Sequence, residues 1–347
     1  MQNRKNQIMD LGKKLAFKCI DGDAKAPAAI KDAREQFIKA VEVRCIINDV
    51  ENGPLKINQG DSSLCGPAAF MYCVAREKPD DFARYAFDLA LTGTGSLGSL
   101  IVKPKQACLD AERLKVEKSW LSRERTITPA DWVTLASLRD STGPVSSMTR
   151  VTSDFGGMTH PDALAGWFRK TGWFRNVRNE ARIGGHRDPL RHLLGINSLP
   201  LSYVCLLINA NIMTRGVVFR MPTHWVVLGD GAGKGGGSNG NDGSVIRIST
   251  PGMTTLDSRG RPIMTVPKME IPFQYQIMER VSCLPDSPAC AFNNDPTASK
   301  RAELEKGKLN FKVYTWGRIG TIDAYNPGNV TVEKFQAAYF GYVAAAR

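Results

Sequence analysis

A chain of 347 residues is long for one small domain and fits one elaborated α+β domain or two lobes. With 42% hydrophobic and 23% charged residues, its composition is that of an ordinary soluble globular protein. A net charge of +12 and a pI near 9.4 suit nucleic acid, an acidic protein surface or an anionic membrane as a partner, while a basic, soluble enzyme surface is the plain reading. No compact Lys/Arg block with interleaved aromatics is present, so nucleic acid is not an expected partner.

The N-terminal Met-Gln-Asn-Arg-Lys-Asn-Gln is followed by no apolar core segment, so no signal peptide is expected. No apolar run is long enough to span a bilayer, and membrane insertion is not expected. Residues 1–44 read as a helical N-terminal extension, with apolar residues at helical spacing from Ala28 to Val41. A docking helix is the plain reading; an inhibitory pro-segment or a delivery adaptor is the alternative its position invites. Val41 to Val50 alternates as a short strand, and Asn52-Gly53-Pro54 turns the chain.

The next stretch, Gln59-Gly60-Asp61-Ser62-Ser63-Leu64-Cys65-Gly66-Pro67-Ala68-Ala69-Phe70, organises the reading. Pro67 suits a first helical turn, where the missing N–H costs nothing, and Ala-Ala-Phe-Met-Tyr-Cys-Val-Ala favours helix. Cys65 then sits at a helix N-terminus, where dipole and backbone N–H groups favour a thiolate. A glutamine six residues ahead can return its amide to the sulfur and bind an oxyanion. Asp61 reads first as a turn residue.

That helix is expected to end near Glu77, stopped by Lys78-Pro79, with a second from Asp80 to Leu91. Thr128-Pro129 and Thr159-His160-Pro161-Asp162 open further helices. Residues 100–200 are expected to be mostly helical, with Trp120, Trp132, Trp167 and Trp173 in the core. From residue 200 strands take over: 201–211, with 216–220 as a continuation, then 223–230, 244–249 and 309–317. A Gly/Ser/Asn loop spans 229–243, residues 253–308 read as an irregular insertion, and 331–345 as a closing helix. The loop around Gly231-Ala232-Gly233-Lys234 lacks the spacing of a phosphate loop. Helices first and strands later is the α+β pattern.

Four histidines are available as a base: His160, His186, His192 and His224. His160 opens a helix, His186 and His192 lie in an Arg-rich polar segment, and His224 begins an apolar strand. His224 is the expected general base, with Cys65 as nucleophile. The eight cysteines include no Cys-x-x-Cys pair and no metal-like spacing, so neither metal nor other cofactor is expected. Buried free thiols are expected in the apolar runs at Cys45, Cys73 and Cys205. Cys283 and Cys290 flank a Pro-containing loop, where free thiols are the plain reading and a disulfide between them the alternative. That pattern suits a reducing compartment.

Gln-Gly-x4-Cys followed by a helix resembles the nucleophile segment of papain-like cysteine peptidases, and Cys65-Gly66-Pro67-Ala68 is similar to bacterial members, including leader-peptide peptidases and toxin or effector proteases. His224-Trp225-Val226-Val227-Leu228 resembles their histidine segment. The resemblance implies a papain-like fold over 45–347, with a helical lobe (about 60–200) carrying the cysteine and an antiparallel β lobe (about 201–347) carrying the histidine. It implies Cys65 as nucleophile, His224 as base, and Gln59 with the Cys65 N–H as oxyanion donors. The implied activity is cleavage of protein substrates by a bacterial effector or antibacterial toxin, with a cognate inhibitor (immunity) protein as a partner. Such a protein is cytoplasmic in its producer and is delivered by a specialised secretion system into a target cell. The family's Asn or Asp orienter has no clear counterpart, because Tyr314 holds that position in Tyr314-Thr315-Trp316-Gly317. Thr250, Thr315, a backbone carbonyl or a simple Cys-His dyad remain open, and Asp230 is a distant candidate. Amidase, deamidase or transglutaminase-like acyl transfer by the same residues is one alternative, and a catalytically idle papain-fold binding module is another.

Overall fold

The fold is that of a computed structural model describing residues 1–22, 24–47, 53–60, 62–111, 127–142, 159–196, 199, 202–213, 222–228, 247–249, 255–256, 262–263, 308–310, 312–315, 318–322 and 330–346. Helices and antiparallel strand pairs coexist, so the class is mixed α and β. Trp120, Asp61, Asp230, Thr250, Cys283, Cys290, the Gly231–Lys234 loop and the 216–220 segment lie outside the described residues. The chain divides into two compact units. One comprises Met1–Asn179, Tyr314–Arg318 and Ala344–Arg347; the other comprises Glu180–Val313 and Ile319–Val343. The division falls at Glu180, ahead of the lobe boundary near 201 read from the sequence.

The first unit contains α1 (Gln2–Met9), α2 (Pro27–Arg44), α3 (Cys65–Glu77) and α4 (Pro79–Thr92). Residues 1–44 belong to this unit: the Ala16 N–H donates to the Ala90 carbonyl and Arg4 pairs with Asp88, both on α4, while Arg34, almost wholly buried, ties the segment together internally. Its guanidinium donates to both Asp21 carboxylate oxygens and to the carbonyls of Ile8, Asp10 and Lys13. Val41 to Arg44, expected to begin a strand, are helical: α2 continues to Arg44, because Arg44 has a buried partner that rewards one more turn. Arg44 Nε and Nη2 bond Asp131 at 3.0 and 2.7 Å, and Nη2 also reaches Thr128 Oγ1.

Helix α3 is buried at every position from Cys65 to Ala75, as an almost uniformly apolar helix must be. Phe70 packs on Trp167 and edge-on against Phe168, with centroids 5.7 and 5.0 Å apart. Both rings come from α7 (Pro161–Thr171), which follows the short helices α5 (Pro129–Asp131) and α6 (Ser137–Thr142). Thr128 caps α5 as expected, whereas α7 is capped by His160, whose Nδ1 accepts from the Asp162 N–H. Between α5 and α6 the backbone makes a π turn, Trp132–Ala136. Tyr85 Oη donates to the Thr134 carbonyl there, and Trp132 Nε1 donates to the Cys108 carbonyl. Strand β1 (Gly95–Leu97) lies just ahead of the stretch expected to be mostly helical, and β2 (Leu100–Val102) and β3 (Arg175–Asn179) lie within it. Trp132 and Trp167 are buried and Trp173 is half-buried.

The second unit contains α8 (Pro189–Gly195), β4 (Ser202–Ile208) and β5 (His224–Leu228). Strands β4 and β5 pair antiparallel from Val204↔Leu228 to Ile208↔His224. Arg247–Ser249 (β6) pairs antiparallel with Lys308–Asn310 (β7). Lys312–Thr315 (β8) neighbours β5 in its sheet, and Tyr339–Ala346 (β10) lies on the other side of β4, with Arg318–Thr321 (β9) beyond β8. The closing helix is shorter than expected. Only Val332–Ala338 (α9) is helical, and β10 is a strand buried at every position. Its Ala-rich end favours helix locally, but Tyr339-Phe340-Gly341-Tyr342-Val343 is aromatic and β-branched, and pairing in the sheet decides the conformation. Among the described residues, no helix is long and apolar enough to cross a membrane.

Candidate functional site

Cys65 opens α3 and is 4% exposed; Leu64, at the N-cap, offers no side-chain acceptor to the first turn. The dipole of this helix and its leading N–H groups therefore point at the sulfur's end of the element. The loop before it is held by its own polar atoms. Gln59, 6% exposed, donates from Nε2 to the Ser62 carbonyl at 3.0 Å, while Ser62 Oγ and N–H both donate to the Gln59 carbonyl. A primary amide carries two N–H groups, and the Ser62 carbonyl takes one of them.

Gly66 is required by crowding. A Cβ there would stand 2.3 Å from Thr159 Cβ and Oγ1. Gly66→Ala is therefore expected to destabilise the first unit by about 1–3 kcal/mol, an overpacking cost. Urea denaturation should show that loss, and removing the obstruction in Gly66→Ala/Thr159→Gly should lessen the penalty attributable to Gly66. Equal penalties with and without Thr159 would show that the contact is not the cause.

Two residues not singled out for this loop by their sequence positions belong to its surroundings. Arg139, half-buried on α6, has its pKa lowered by burial and raised by the charge of a Cys65 thiolate. Nothing local in Ser137-Leu138-Arg139-Asp140 marks it, because its relation to Cys65 exists only through packing. Tyr314, which stands at the family's Asn position, is wholly buried, donates from Oη to the Ile57 carbonyl and stacks on Tyr72 at 4.0 Å. Burial first, and then the Asp131 charge, raise its phenol pKa well above the ordinary value. It is a neutral strut for the segment leading to Gln59. Thr315 is buried.

His224 belongs to the second unit, at the start of β5, opposite Ile208 and 4% exposed. Burial alone pushes its pKa down to about 3, so the imidazole is neutral around pH 7. Gln59 and Cys65 belong to the first unit and His224 to the second. Of the remaining histidines, His160 is an exposed cap, and His186 and His192 stack on one another.

Cys19, Cys45, Cys65, Cys73, Cys108 and Cys205 are free thiols. Burial raises the Cys19 and Cys45 thiols to about 12 each, and raises Cys108 as well. Among the described residues, no group of three or more His, Cys, Asp or Glu side chains is placed to hold a metal ion. Neither family models, curated proteins nor solved structures match this chain.

Proposed function

We propose that the chain is a papain-like cysteine peptidase acting on protein substrates, with Cys65 as nucleophile and His224 as general base. The observation carrying this reading is the placement of Cys65 at the start of a buried helix, behind a loop that holds the Gln59 amide. In the proposed reaction the Cys65 sulfur attacks a peptide carbonyl, and the oxyanion is received by the Cys65 N–H and the second N–H of Gln59. Neutral His224 accepts the thiol proton, passes it to the leaving amine, and then activates water against the thioester. Arg139 supplies a positive charge to the thiolate. The biological setting we infer is a bacterial effector or toxin delivered into another cell, held in check in its producer by an inhibitor protein covering Cys65.

The test is intact-mass labelling with iodoacetamide near neutral pH, followed by incubation with an unfolded protein substrate. One fast adduct is expected, mapped to Cys65 and formed about tenfold faster than any other, since thiols held near 12 are almost wholly protonated. Cys65→Ser should remove both that adduct and any substrate cleavage, and His224→Ala should remove cleavage. If Cys65 reacts no faster than the buried thiols and no new peptide termini form, the peptidase reading fails and an idle binding module replaces it.

A further inference from the structure

His186 and His192, outside the candidate site, form a construction that the proposed chemistry does not use. Their ring centroids are 3.8 Å apart and their planes are 18° from parallel. His192 Nδ1 lies 2.9 Å from Tyr339 Oη, and the Tyr342 ring stacks on His192 at 5.1 Å. The Nε2 atoms of both histidines are buried without a hydrogen-bond partner. The backbone is fitted closely around them. Gly341 has φ +108°, and a Cβ there would stand 2.7 Å from His186 Nε2 and 2.2 Å from the Glu180 carbonyl.

A metal does not explain this arrangement. An imidazole lone pair lies in the ring plane, so two nearly parallel rings stacked face to face cannot both aim at one ion. A proton does. Two neutral rings stack favourably, whereas a charge on one is buried beside its neighbour and two charges repel at this distance. The surroundings favour the neutral pair. Arg182 opposes a charge on either ring, and burial opposes it more strongly. The Glu180 and Phe340 carbonyls and the Glu180 carboxylate favour a charge on His186 but do not outweigh burial. From β10 the stack meets the phenols of Tyr339 and Tyr342, and burial keeps Tyr339 neutral. Helix α9, which packs on α8, exposes its charged Glu333 and Lys334. Asp188, in the turn before α8, contributes its backbone carbonyl to the His192 N–H.

The geometry points to a proton-operated latch, in which the neutral His186–His192 stack fastens residues 180–195 to β10 and protonation of either ring releases them. The fastened bonds are Glu180 N–H to the Tyr342 carbonyl and Arg182 N–H to the Phe340 carbonyl, at 2.8 and 2.7 Å. Both histidine pKa values are lowered, that of His192 to about 4, so the latch is fully closed above the ordinary histidine value of 6.5 and opens as pH falls below it. The inference stands independently of the peptidase reading, since none of its residues touches Cys65 chemistry.

The test is amide hydrogen exchange at Glu180 and Arg182, corrected for intrinsic pH dependence, near pH 7 and at about pH 4.5, in the full chain. Protection in the wild type should fall about tenfold or more on acidification, and in the double variant His186→Phe/His192→Phe, which keeps both rings but can charge neither, it should change less than about twofold. Amides of α3 in the first unit serve as the internal reference. Unchanged protection in the wild type, or an equal fall in the variant, overturns the latch. Should the double variant fail to fold, the histidine ring protons of the wild type decide. Titration of both rings below 6.5, each shifting the other, upholds the latch, and titration of either ring at or above 6.5 overturns it.

Discussion

Asp131→Ala should destabilise the first unit by about 3–5 kcal/mol, the cost of leaving a buried charge without its partner. Asp131 is 0% exposed and receives two bonds from Arg44, which is itself almost completely buried at the end of α2. Removing the carboxylate leaves that guanidinium with the Ala40 carbonyl and Thr128 Oγ1. It also removes the acceptor of the Thr128 hydroxyl. Urea unfolding followed by the fluorescence of buried Trp132 and Trp167 measures the loss. The apolar pair Arg44→Met/Asp131→Leu should recover most of it, because an ion pair replaced as a unit leaves no stranded charge. If the double substitution is as damaging as Asp131→Ala, the pair contributes by shape and not by charge. A loss below about 1 kcal/mol in Asp131→Ala would place the pair in contact with solvent.

The second large effect is acid lability of the unit that carries His224. The folded protein holds this imidazole neutral, with a pKa of about 3 against an ordinary value of 6.5. Its contribution to stability is therefore complete above pH 6.5 and is lost as pH falls toward 3, because the unfolded chain takes up the proton first. By about pH 4 the loss from this one group should reach about 3 kcal/mol. His192 works in the same direction, so the variant comparison isolates His224. Stability measured against pH should fall less steeply in His224→Gln than in the wild type over this range, by close to one proton. Parallel curves would mean that His224 is hydrated, with an ordinary pKa. The same property bears on the proposed chemistry. An imidazole this hard to charge is unprotonated at neutral pH but is a weak base, so the proposed role requires that a Cys65 thiolate beside it raise its proton affinity.

Where the sequence reading held, the information was local. Pro79 at the start of α4 and Gly93 after its end define that helix in both sequence and structure, since proline and glycine act on their own backbone. Cys65 as the first residue of α3 follows from Leu-Cys-Gly-Pro-Ala-Ala in the same way. The strand starting at His224 follows from an apolar run too short for a helix. Where the reading failed, a distant partner overrode local preference. Val41 alternates with polar neighbours like a strand residue, yet the Asp131 carboxylate holds the last turn of α2 as helix. Ala344, Ala345 and Ala346 favour helix, yet they end a strand buried along its whole length.

The sequence by itself determined the α+β mixture, the element that carries Cys65, the loop that carries Gln59 and the strand that carries His224, because helix caps, turns and apolar runs are written in neighbouring residues. Only the tertiary structure decided that Arg139 senses the Cys65 sulfur, that Tyr314 braces the segment before Gln59, and that two polar-segment histidines stack on Tyr339 and Tyr342. Those relations join residues far apart in the chain. The burial that shifts their charges exists only once the chain has packed.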